Sequence, residues 1–478
     1  MRHARRPITA AAATAALAAA LLAAADAPDR PARPDAAEGD DAISPRIRKR
    51  RFEVSSHRPV RLSHPAWVQG GRITLPHCFH IPRFGDVDGD GELEMIVCRG
   101  AGQQSAVDLD GRRLWRYRDE HADGRPCRVD SKLPLYDLDG DGKLELVCVR
   151  VLDGRPKLCV VNAADGSVKH ARPIAVAPRE PHLSVIPAWL EGAKGPPSLV
   201  VHRDYWRIEV YTHDLKERRW VRNVPELGHT TVASDLDGDG REELWVGTRL
   251  FGPDGRTIWS KPELLEGTGE SHPDSLRVAD LDADGEPELV FAPGGRVLAP
   301  DGRIRWALKG VELTEVQSVR LLRTGRRRRI AWTDHPFTGK GTHLRWRGFR
   351  LRDVRSRTVI TDHAGKALAA FDGLHTPEPG DWDGDGDDEL FMLARSGDVM
   401  EVRDADGEVV DRIAIPKRVY ISDMLVLPCL PGARGAQLVL HEFGPGGRRT
   451  WCAIYENTRA RGRCPPFDQL RMARQTCY

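Results

Sequence analysis

Short apolar runs separated by turn residues are the dominant pattern along this chain. Runs such as 146–149 (Leu-Val-Cys-Val), 198–201 (Ser-Leu-Val-Val) and 437–440 (Gln-Leu-Val-Leu) span about four residues each. Asp-Gly pairs at 110–111, 165–166, 254–255, 301–302 and 406–407 lie beside similar runs, where they predict hairpin turns. With 46 Gly and 34 Pro, the chain has too many turn formers for a helical bundle. The pattern predicts an all-β protein built from short strands.

A nine-residue acidic motif occurs five times, and an apolar run follows each copy. The acids occupy positions 1, 3, 5 and 9, and Gly occupies position 6. The acids are Asp86, Asp88, Asp90 and Glu94; Asp137, Asp139, Asp141 and Glu145; Asp235, Asp237, Asp239 and Glu243; Asp280, Asp282, Asp284 and Glu288; and Asp381, Asp383, Asp385 and Glu389.

The spacing of these acids is typical of a calcium-binding loop. Calcium takes six to eight hard oxygen ligands, and alternate side chains of a tightly coiled loop can converge on one ion. Position 6 must turn sharply where a Cβ would clash, which explains the glycine. The alternative is that Asp and Gly merely form solvated turns. An EF-hand is excluded because it needs twelve residues and flanking helices. Five copies with one spacing predict about five bound calcium ions.

The spacing between the copies predicts the architecture. The motifs start at residues 86, 137, 235, 280 and 381, and the two wide gaps are about twice the narrow ones, so each wide gap hides a degenerate copy. Another degenerate copy follows near residue 424. The sequence therefore predicts a single β-propeller of eight four-stranded blades, with seven as the alternative count. The eighth blade is short of one strand, which we expect segment 51–68 to supply.

The N-terminus has the composition of an export signal. Arg2, Arg5 and Arg6 precede an uncharged Ala- and Leu-rich run that ends near residue 25. We therefore expect a signal peptide at 1–25, a linker at 26–50 and the propeller at 51–478, with export to the periplasm or outside the cell. No later run is long enough to span a membrane. The 72 basic and 70 acidic residues balance, which gives no electrostatic reason to expect nucleic acid as a partner.

The acidic repeat resembles the calcium-binding FG-GAP or VCBS-type repeats of β-propellers. More narrowly, residues 228–306 resemble the central blades of secreted rhamnogalacturonan lyases, which have eight-bladed propellers. The resemblance rests on Gly228-His229 before the loop at 235, on segment 247–255, and on Ser271-His272-Pro273-Asp274 before the loop at 280. That family has Gly-His-Gly-Asp at the last of these places, and a variant loop where this chain keeps an acidic one at 280–288. The resemblance implies a propeller fold and β-elimination on acidic polysaccharide.

Histidines that precede the acidic loops are the candidate catalytic residues. They are His77, His229, His272 and His375, with His182 before a degenerate copy. In a propeller these segments meet near the central axis, so His229 and His272 from adjacent blades could serve as base and acid, with Asp274 orienting an imidazole. The alternative is that they are polar residues of a wet channel, where Lys132 and the segment 315–317 would contribute mixed polar contacts to a sugar.

These observations leave three functional hypotheses. The first is a calcium-stabilised module that binds extracellular polysaccharide or a surface protein. The second is a polysaccharide lyase that cleaves rhamnogalacturonan-type acidic polysaccharide by β-elimination, and the third is an envelope-associated scaffold. We expect a monomer in each case.

Overall fold

The computed structural model describes residues 47–56, 82–99, 103–109, 112–118, 130–132, 134–175, 182–203, 206–310, 313, 316–334, 356–373, 377–415, 419–429, 432–443, 449–462 and 466–474. The predicted signal peptide and most of the predicted linker lie outside this part of the chain, so both stay predictions. Within it, no helix is long and apolar enough to cross a bilayer.

The described chain forms eight sheets, one for each predicted blade, and the four strands of each blade pair antiparallel. Blades 1 to 4 comprise β2 (Arg83–Gly85), β3 (Glu94–Arg99), β4 (Gln103–Asp108) and β5 (Arg113–Arg118); β7 (Leu135–Tyr136), β8 (Glu145–Leu152), β9 (Arg155–Asn162) and β10 (Val168–Pro173); β11 (His182–Ala188), β12 (Ser198–Arg203), β13 (Arg207–Tyr211) and β14 (Arg218–Asn223); and β15 (Thr231–Ser234), β16 (Glu243–Val246), β17 (Arg249–Phe251) and β18 (Thr257–Ser260). Blades 5 to 8 comprise β19 (Leu276–Ala279), β20 (Glu288–Phe291), β21 (Arg296–Leu298) and β22 (Ile304–Ala307); β23 (Val316–Thr324), β24 (Arg327–Asp334), β25 (Ser356–Thr361) and β26 (Ala367–Gly373); β27 (Glu378–Gly380), β28 (Glu389–Leu393), β29 (Val399–Arg403) and β30 (Val409–Ala414); and β31 (Val419–Leu427), β32 (Gln437–Phe443), β33 (Arg449–Asn457) and β1 (Ile47–Ser56). The prediction of an eight-bladed propeller is confirmed.

The N-terminal strand closes the ring. β1 pairs antiparallel with β33 and so becomes the outermost strand of blade 8. It begins at Ile47, four residues before the predicted start of the propeller, and the part of segment 51–68 beyond Ser56 lies outside the described residues. The pairing of β1 with β33 gives blade 8 its fourth strand. A closed ring of complete blades is how a propeller protects its strand edges.

The first strand of each blade lies nearest the axis. Strands β11, β15, β19, β23, β27 and β31 contact one another in succession, and β2 contacts β7. Blade 3 has a fifth strand, β6 (Asp130–Lys132), which pairs in parallel with β11. The four-strand pattern therefore holds for seven sheets, and blade 3 adds one strand at its inner edge.

The hydrophobic core is divided among the blade junctions. Each buried cluster joins two neighbouring sheets: for example, one joins Trp245 of blade 4 to Phe291 of blade 5, and another joins Cys148 of blade 2 to Ile96 of blade 1. The central strands are buried on both faces, as β8 shows, which explains their continuous apolar runs. Burial of each large side chain contributes about 1.5–3 kcal/mol, so the blades depend on each other for stability.

Tryptophans on the outer strands link neighbouring blades. Trp115 Nε1 donates to Ala163 O over 2.6 Å, Trp220 Nε1 donates to Pro253 O over 3.0 Å, and equivalent indoles at Trp259 and Trp306 also donate to the next blade's turn. These indoles therefore pack at the junctions between blades.

A C-terminal helix, α1 (Gln469–Arg474), crosses the ends of four inner strands. Gln469 Nε2 donates to the carbonyl oxygens of Phe84 (3.2 Å) and Leu135 (2.7 Å), and Arg474 donates to those of Pro187 (3.1 Å) and Ala233 (3.2 Å). These carbonyls lie at the ends of the inner strands that lead into the acidic loops or their degenerate copies. The helix therefore lies across the loop-side ends of the inner strands of blades 1 to 4. A 3-10 helix, Pro262–Leu265, lies between blades 4 and 5.

Candidate functional site

The five acidic motifs fold into nearly identical loops, which we name acid loops 1, 2, 4, 5 and 7 after their blades (86–94, 137–145, 235–243, 280–288 and 381–389). In acid loop 1, Gly89 N and Gly91 N lie 2.7 and 3.0 Å from the two carboxylate oxygens of Asp86, and Val87 N lies 2.7 Å from Glu94 Oε2. The other four loops repeat these contacts at positions 1, 2, 4, 6 and 9. The spacing of the acids therefore also determines the backbone conformation.

The glycine at position 6 is required by the conformation of its own backbone. In each of the five loops this glycine has a φ between +81° and +100°, which L side chains rarely adopt. Apart from the glycine itself and its two chain neighbours, no atom lies within 4 Å of a Cβ built on any of the five. The expected clash of a Cβ is therefore with the adjacent backbone of the sharp turn, and no more distant residue contributes to it.

The glutamate at position 9 is buried beneath its own loop. Glu94 and Glu389 are only 3% and 6% exposed. Burial raises the pKa of each carboxyl group most strongly, and the neighbouring aspartates raise it further, while a hydrogen bond from a backbone N–H lowers it. The pKa consequently rises to about 7 for Glu94 and about 8 for Glu389. Burial likewise raises the pKa of Glu145, Glu243 and Glu288. A nearby positive charge would relieve this cost.

The loop acids can also converge on one point. In acid loop 1, Asp86, Asp88 and Asp90 offer carboxylate oxygens that all lie within 4.8 Å of one another, and the same holds for Asp137, Asp139 and Glu145 in acid loop 2. Clusters of hard oxygen donors suit calcium. These residues therefore fit the predicted ion.

In acid loop 2 a lysine ammonium group lies among the acids, and in acid loop 5 the guanidinium group of Arg305 contacts Glu288. Lys169 Nζ lies 2.7 Å from Asp139, 2.8 Å from Glu145 and 3.7 Å from Asp141. The resulting ion pairs lower the pKa of Asp139. Lys169 belongs to β10, thirty residues beyond the aspartate that it contacts, so the motif alone did not indicate this pairing.

A second cluster of ligand atoms lies where the inner strands of blades 4 and 5 begin. His229 Nε2 and His272 Nε2 are each 3.3 Å from the same oxygen, Asp274 Oδ1, and the two imidazole rings are 5.3 Å apart. The angles of these contacts do not meet hydrogen-bond geometry, so Asp274 Oδ1 lies between the two rings without a hydrogen bond to either. The side chains of His229 and Asp274 are 16% and 13% exposed and that of His272 is 39% exposed, which leaves one side open.

Local backbone contacts hold this cluster together. Gly228 has a φ of +75°, and a Cβ at this position would overlap the carbonyl oxygen of Pro273, so only glycine lets blade 4 approach blade 5 this closely. Thr230 Oγ1 donates to Asp274 O over 2.8 Å, and Val319 N of blade 6 donates to Ser275 Oγ over 3.4 Å. The cluster is therefore fixed by three consecutive blades.

The geometry fits a cation better than it fits two separate proton-transfer groups. Both Nε2 atoms face the carboxylate, whereas an acid and a base acting on a sugar would each direct a nitrogen towards the open side. The two imidazole nitrogens and the carboxylate oxygen lie within 4.8 Å of one another, and this donor set suits a divalent metal. The structure thus places His229, His272 and Asp274 together, and their roles as base, acid and orienting group stay predictions.

The other candidates from the sequence lie largely outside the described residues. His77, His375 and Glu315 are not described. For His182, Lys132 and Gln317 the structure gives the backbone alone, in β11, β6 and β23.

Several charged residues on the inner strands were not among the site residues predicted from the sequence. Arg277 of β19 and Glu378 of β27 stand at the same register, two residues before the end of the inner strand. Arg320 of β23 lies in the blade between them and donates to Glu378 Oε1 over 2.5 Å. In blade 4 the equivalent strand position is occupied by the apolar Val232. A charged residue at this position in other blades is the signal that could have identified them.

Comparison with known proteins finds similarity to rhamnogalacturonan lyases, and no family model matches the chain. The rhamnogalacturonan exolyase YesX of Bacillus subtilis is 28% identical over 275 residues, which are 43% of this chain and 43% of the relative. The rhamnogalacturonan endolyase YesW of the same organism is 25% identical over 278 residues, 43% of this chain and 42% of the relative. The matched region thus spans less than half the length of these curated relatives.

Solved structures show the same fold over a longer region. The crystal structure of the exotype lyase YesX superposes with a TM-score of 0.61 at 19% identity, covering 89% of this chain and 80% of that one. YesW gives a TM-score of 0.57 at 18% identity, covering 88% and 77%. At this identity the likeness establishes the propeller fold.

Proposed function

We propose that this protein is a polysaccharide lyase that cleaves an acidic polysaccharide of the rhamnogalacturonan type by β-elimination. The observation that carries the proposal is the convergence of His229 Nε2 and His272 Nε2 on Asp274 Oδ1, 3.3 Å from each, where two inner strands begin. The similarity to two rhamnogalacturonan lyases supports the choice of substrate class.

The chemistry requires three events at a uronate ring. A base removes the proton on carbon 5, next to the carboxylate; the electron pair forms a double bond between carbons 4 and 5; and the bond from carbon 4 to the departing oxygen breaks as that oxygen takes up a proton. Removal of the carbon 5 proton becomes easier when the adjacent carboxylate is neutralised. A divalent metal supplies such charge neutralisation when bound.

His229, His272 and Asp274 are the residues that would hold this metal. The limited exposure of His229 and Asp274 protects their ligand atoms from solvent, while His272 borders the open side from which a sugar would approach. Ser271 Oγ lies 3.0 Å from His272 Nδ1 and would set the orientation of that ring. The acid loops lie at the other end of the inner strands, and we propose that they bind calcium for stability.

The proposal is tested by following the ultraviolet absorbance of the unsaturated product on rhamnogalacturonan. We expect activity in the wild type and a loss of at least about 100-fold in His272→Ala, His229→Ala and Asp274→Asn. His170→Ala is the matched control, because this histidine lies on the outer strand β10. Metal analysis of the purified proteins should show one ion fewer in the three site variants than in the control.

The outcome that would refute the lyase is absence of turnover across a panel of acidic polysaccharides. Measurable glycan affinity without turnover would instead support the expected non-catalytic binding module, and absence of both would support a scaffold. An extracellular or periplasmic location fits either glycan function, since that is where polysaccharide is met.

A further inference from the structure

A β-bulge at the same register interrupts the outermost strand of blades 1 to 7. In each of these blades the pairing between the third and fourth strands skips one residue of the fourth strand. We name this place the bulge position, and its occupants in chain order are Leu114, Lys169, Arg219, Ile258, Arg305, Leu368 and Val410. A bulge redirects a side chain out of the regular alternation of a strand. Seven blades therefore present one redirected side chain at an equivalent place, and its chemistry differs among them.

A basic side chain at the bulge position reaches the loop between the first two strands of its own blade. In acid loop 2, Lys169 Nζ donates to Glu145 Oε1 over 2.8 Å. In acid loop 5, Arg305 donates to Glu288 Oε1. Arg219 of blade 3 likewise pairs with a glutamate in the degenerate loop of that blade. Because three blades repeat the contact, it follows from the position of the bulge in the blade.

The basic bulge residues occupy the carboxylate oxygen that the acid loop itself does not use. In all five acid loops the glutamate at position 9 is buried, and its Oε2 accepts from the backbone N–H at position 2. In acid loops 2 and 5 the Oε1 of this glutamate accepts from the bulge residue. The Oε1 atoms of Glu94, Glu243 and Glu389 accept no hydrogen bond from any residue that the structure describes. The bulge residues of blades 2 and 5 thus lie where a cation would neutralise the loop.

The other three acid loops belong to blades whose bulge residue is apolar. Blade 1 has Leu114, whereas blade 4 has Ile258 and blade 7 has Val410, which are 55% and 48% exposed. None of these side chains can neutralise a carboxylate. Arg241 of acid loop 4 lies 2.6 Å from Asp239, but its side chain is 53% exposed and can turn into solvent. Acid loops 1, 4 and 7 therefore need a cation from solution to offset the repulsion among their carboxylates.

We propose that the residue at the bulge position decides which acid loops bind calcium. Acid loops 1, 4 and 7 take up an ion, whereas Lys169 and Arg305 take its place in acid loops 2 and 5. Calcium and a bulge cation exclude one another because both would lie against the same buried carboxylate and repel each other. This inference rests on the proposal that the acid loops bind calcium, and it lowers the expected number of ions in them from about five to three.

The test counts bound calcium by equilibrium dialysis and elemental analysis, over free calcium from about 1 μM to about 1 mM, the range of many protein loops. The acid loops of the wild type should take up three ions. Lys169→Met and Arg305→Met should each take up one more ion, and the double variant two more. Lys157→Met and Arg303→Met, which remove exposed pairs from the same two blades, should match the wild type. Any ion held between the two imidazole rings adds equally to all these proteins, so the differences decide.

The reverse substitution applies the same rule to a blade without the cation. Ile258→Lys should lose one ion, and Ile258→Met, which adds no charge, should lose none. Because Ile258 is exposed, both variants should fold, so they decide the question if Lys169→Met does not fold. Unchanged ion counts in Lys169→Met, Arg305→Met and Ile258→Lys would overturn the inference. Absence of calcium from all the proteins would refute calcium binding by the acid loops altogether. Failure of the lyase proposal shows separately, as absent turnover, and leaves the ion counts unaffected.

Discussion

Lys169 gives the sharpest test of the acid loops, because it lies where a metal ion would neutralise acid loop 2. Replacing it with Met keeps the length of the side chain and removes the ammonium group. Glu145 is 1% exposed, so the substitution leaves a buried carboxyl group next to Asp139 and Asp141. We expect the variant to be less stable in chelator, and we expect calcium to restore the loss by taking the place of the ammonium group.

The magnitude follows from the burial of the pair. Removing one partner of a fully buried ion pair costs about 3–5 kcal/mol. The side chains of Lys169 and Asp139 are 27% and 30% exposed, so solvent screens part of the interaction. We therefore expect a loss of about 2 kcal/mol in the free energy of unfolding, which for a domain of this size lowers Tm by about 3 °C.

The assay is thermal unfolding of wild type and Lys169→Met in chelator and in excess calcium. Lys157→Met is the matched control: Lys157 pairs with Asp153 over 2.8 Å, but that aspartate is 87% exposed, so no change is expected. Calcium should raise the Tm of Lys169→Met more than that of the wild type, where the ion must displace the ammonium group. Equal losses in chelator and in calcium, or no loss in chelator, would refute the reasoning.

Three further predictions concern stability. In chelator, the folded protein keeps protons on Glu94 and Glu389 up to their raised pKa values of about 7 and about 8, whereas the unfolded chain releases these protons near pH 4.5. Unfolding scans in chelator should therefore show that the free energy of unfolding falls as the pH rises from about 5 to about 8. Bound calcium should abolish this pH dependence. Trp220→Ala should lower the free energy of unfolding by about 3 kcal/mol in denaturant, because it removes a contact between blades. Trp206→Ala, at a tryptophan that is 43% exposed, should leave the free energy of unfolding almost unchanged. Equal losses in the two variants would contradict the role of the contact between blades. Gln469→Ala should cost about 1–3 kcal/mol by leaving two strand carbonyls without their donor, and an unchanged Tm would show that α1 does not brace the ring.

The architecture could be predicted from the sequence because its information is local and repeated. Each acid motif specifies its own loop through contacts between residues at most seven apart, such as Val87 with Glu94, and the spacing of the motifs counts the blades. The same locality indicated that His229 and His272 each lie a few residues before an acidic loop in adjacent blades. Even the closing strand was expected, since blade 8 was short of one partner.

Contacts between residues distant in sequence were decided only by the tertiary structure. Lys169 reaches the acids of acid loop 2 from the far edge of its sheet, and Arg320 finds Glu378 fifty-eight residues away. The direction of the two imidazoles towards Asp274 depends on how closely blade 5 approaches Gly228, and no periodicity records that distance. A repeat determines what each blade is, whereas packing around the axis determines which side chains meet there.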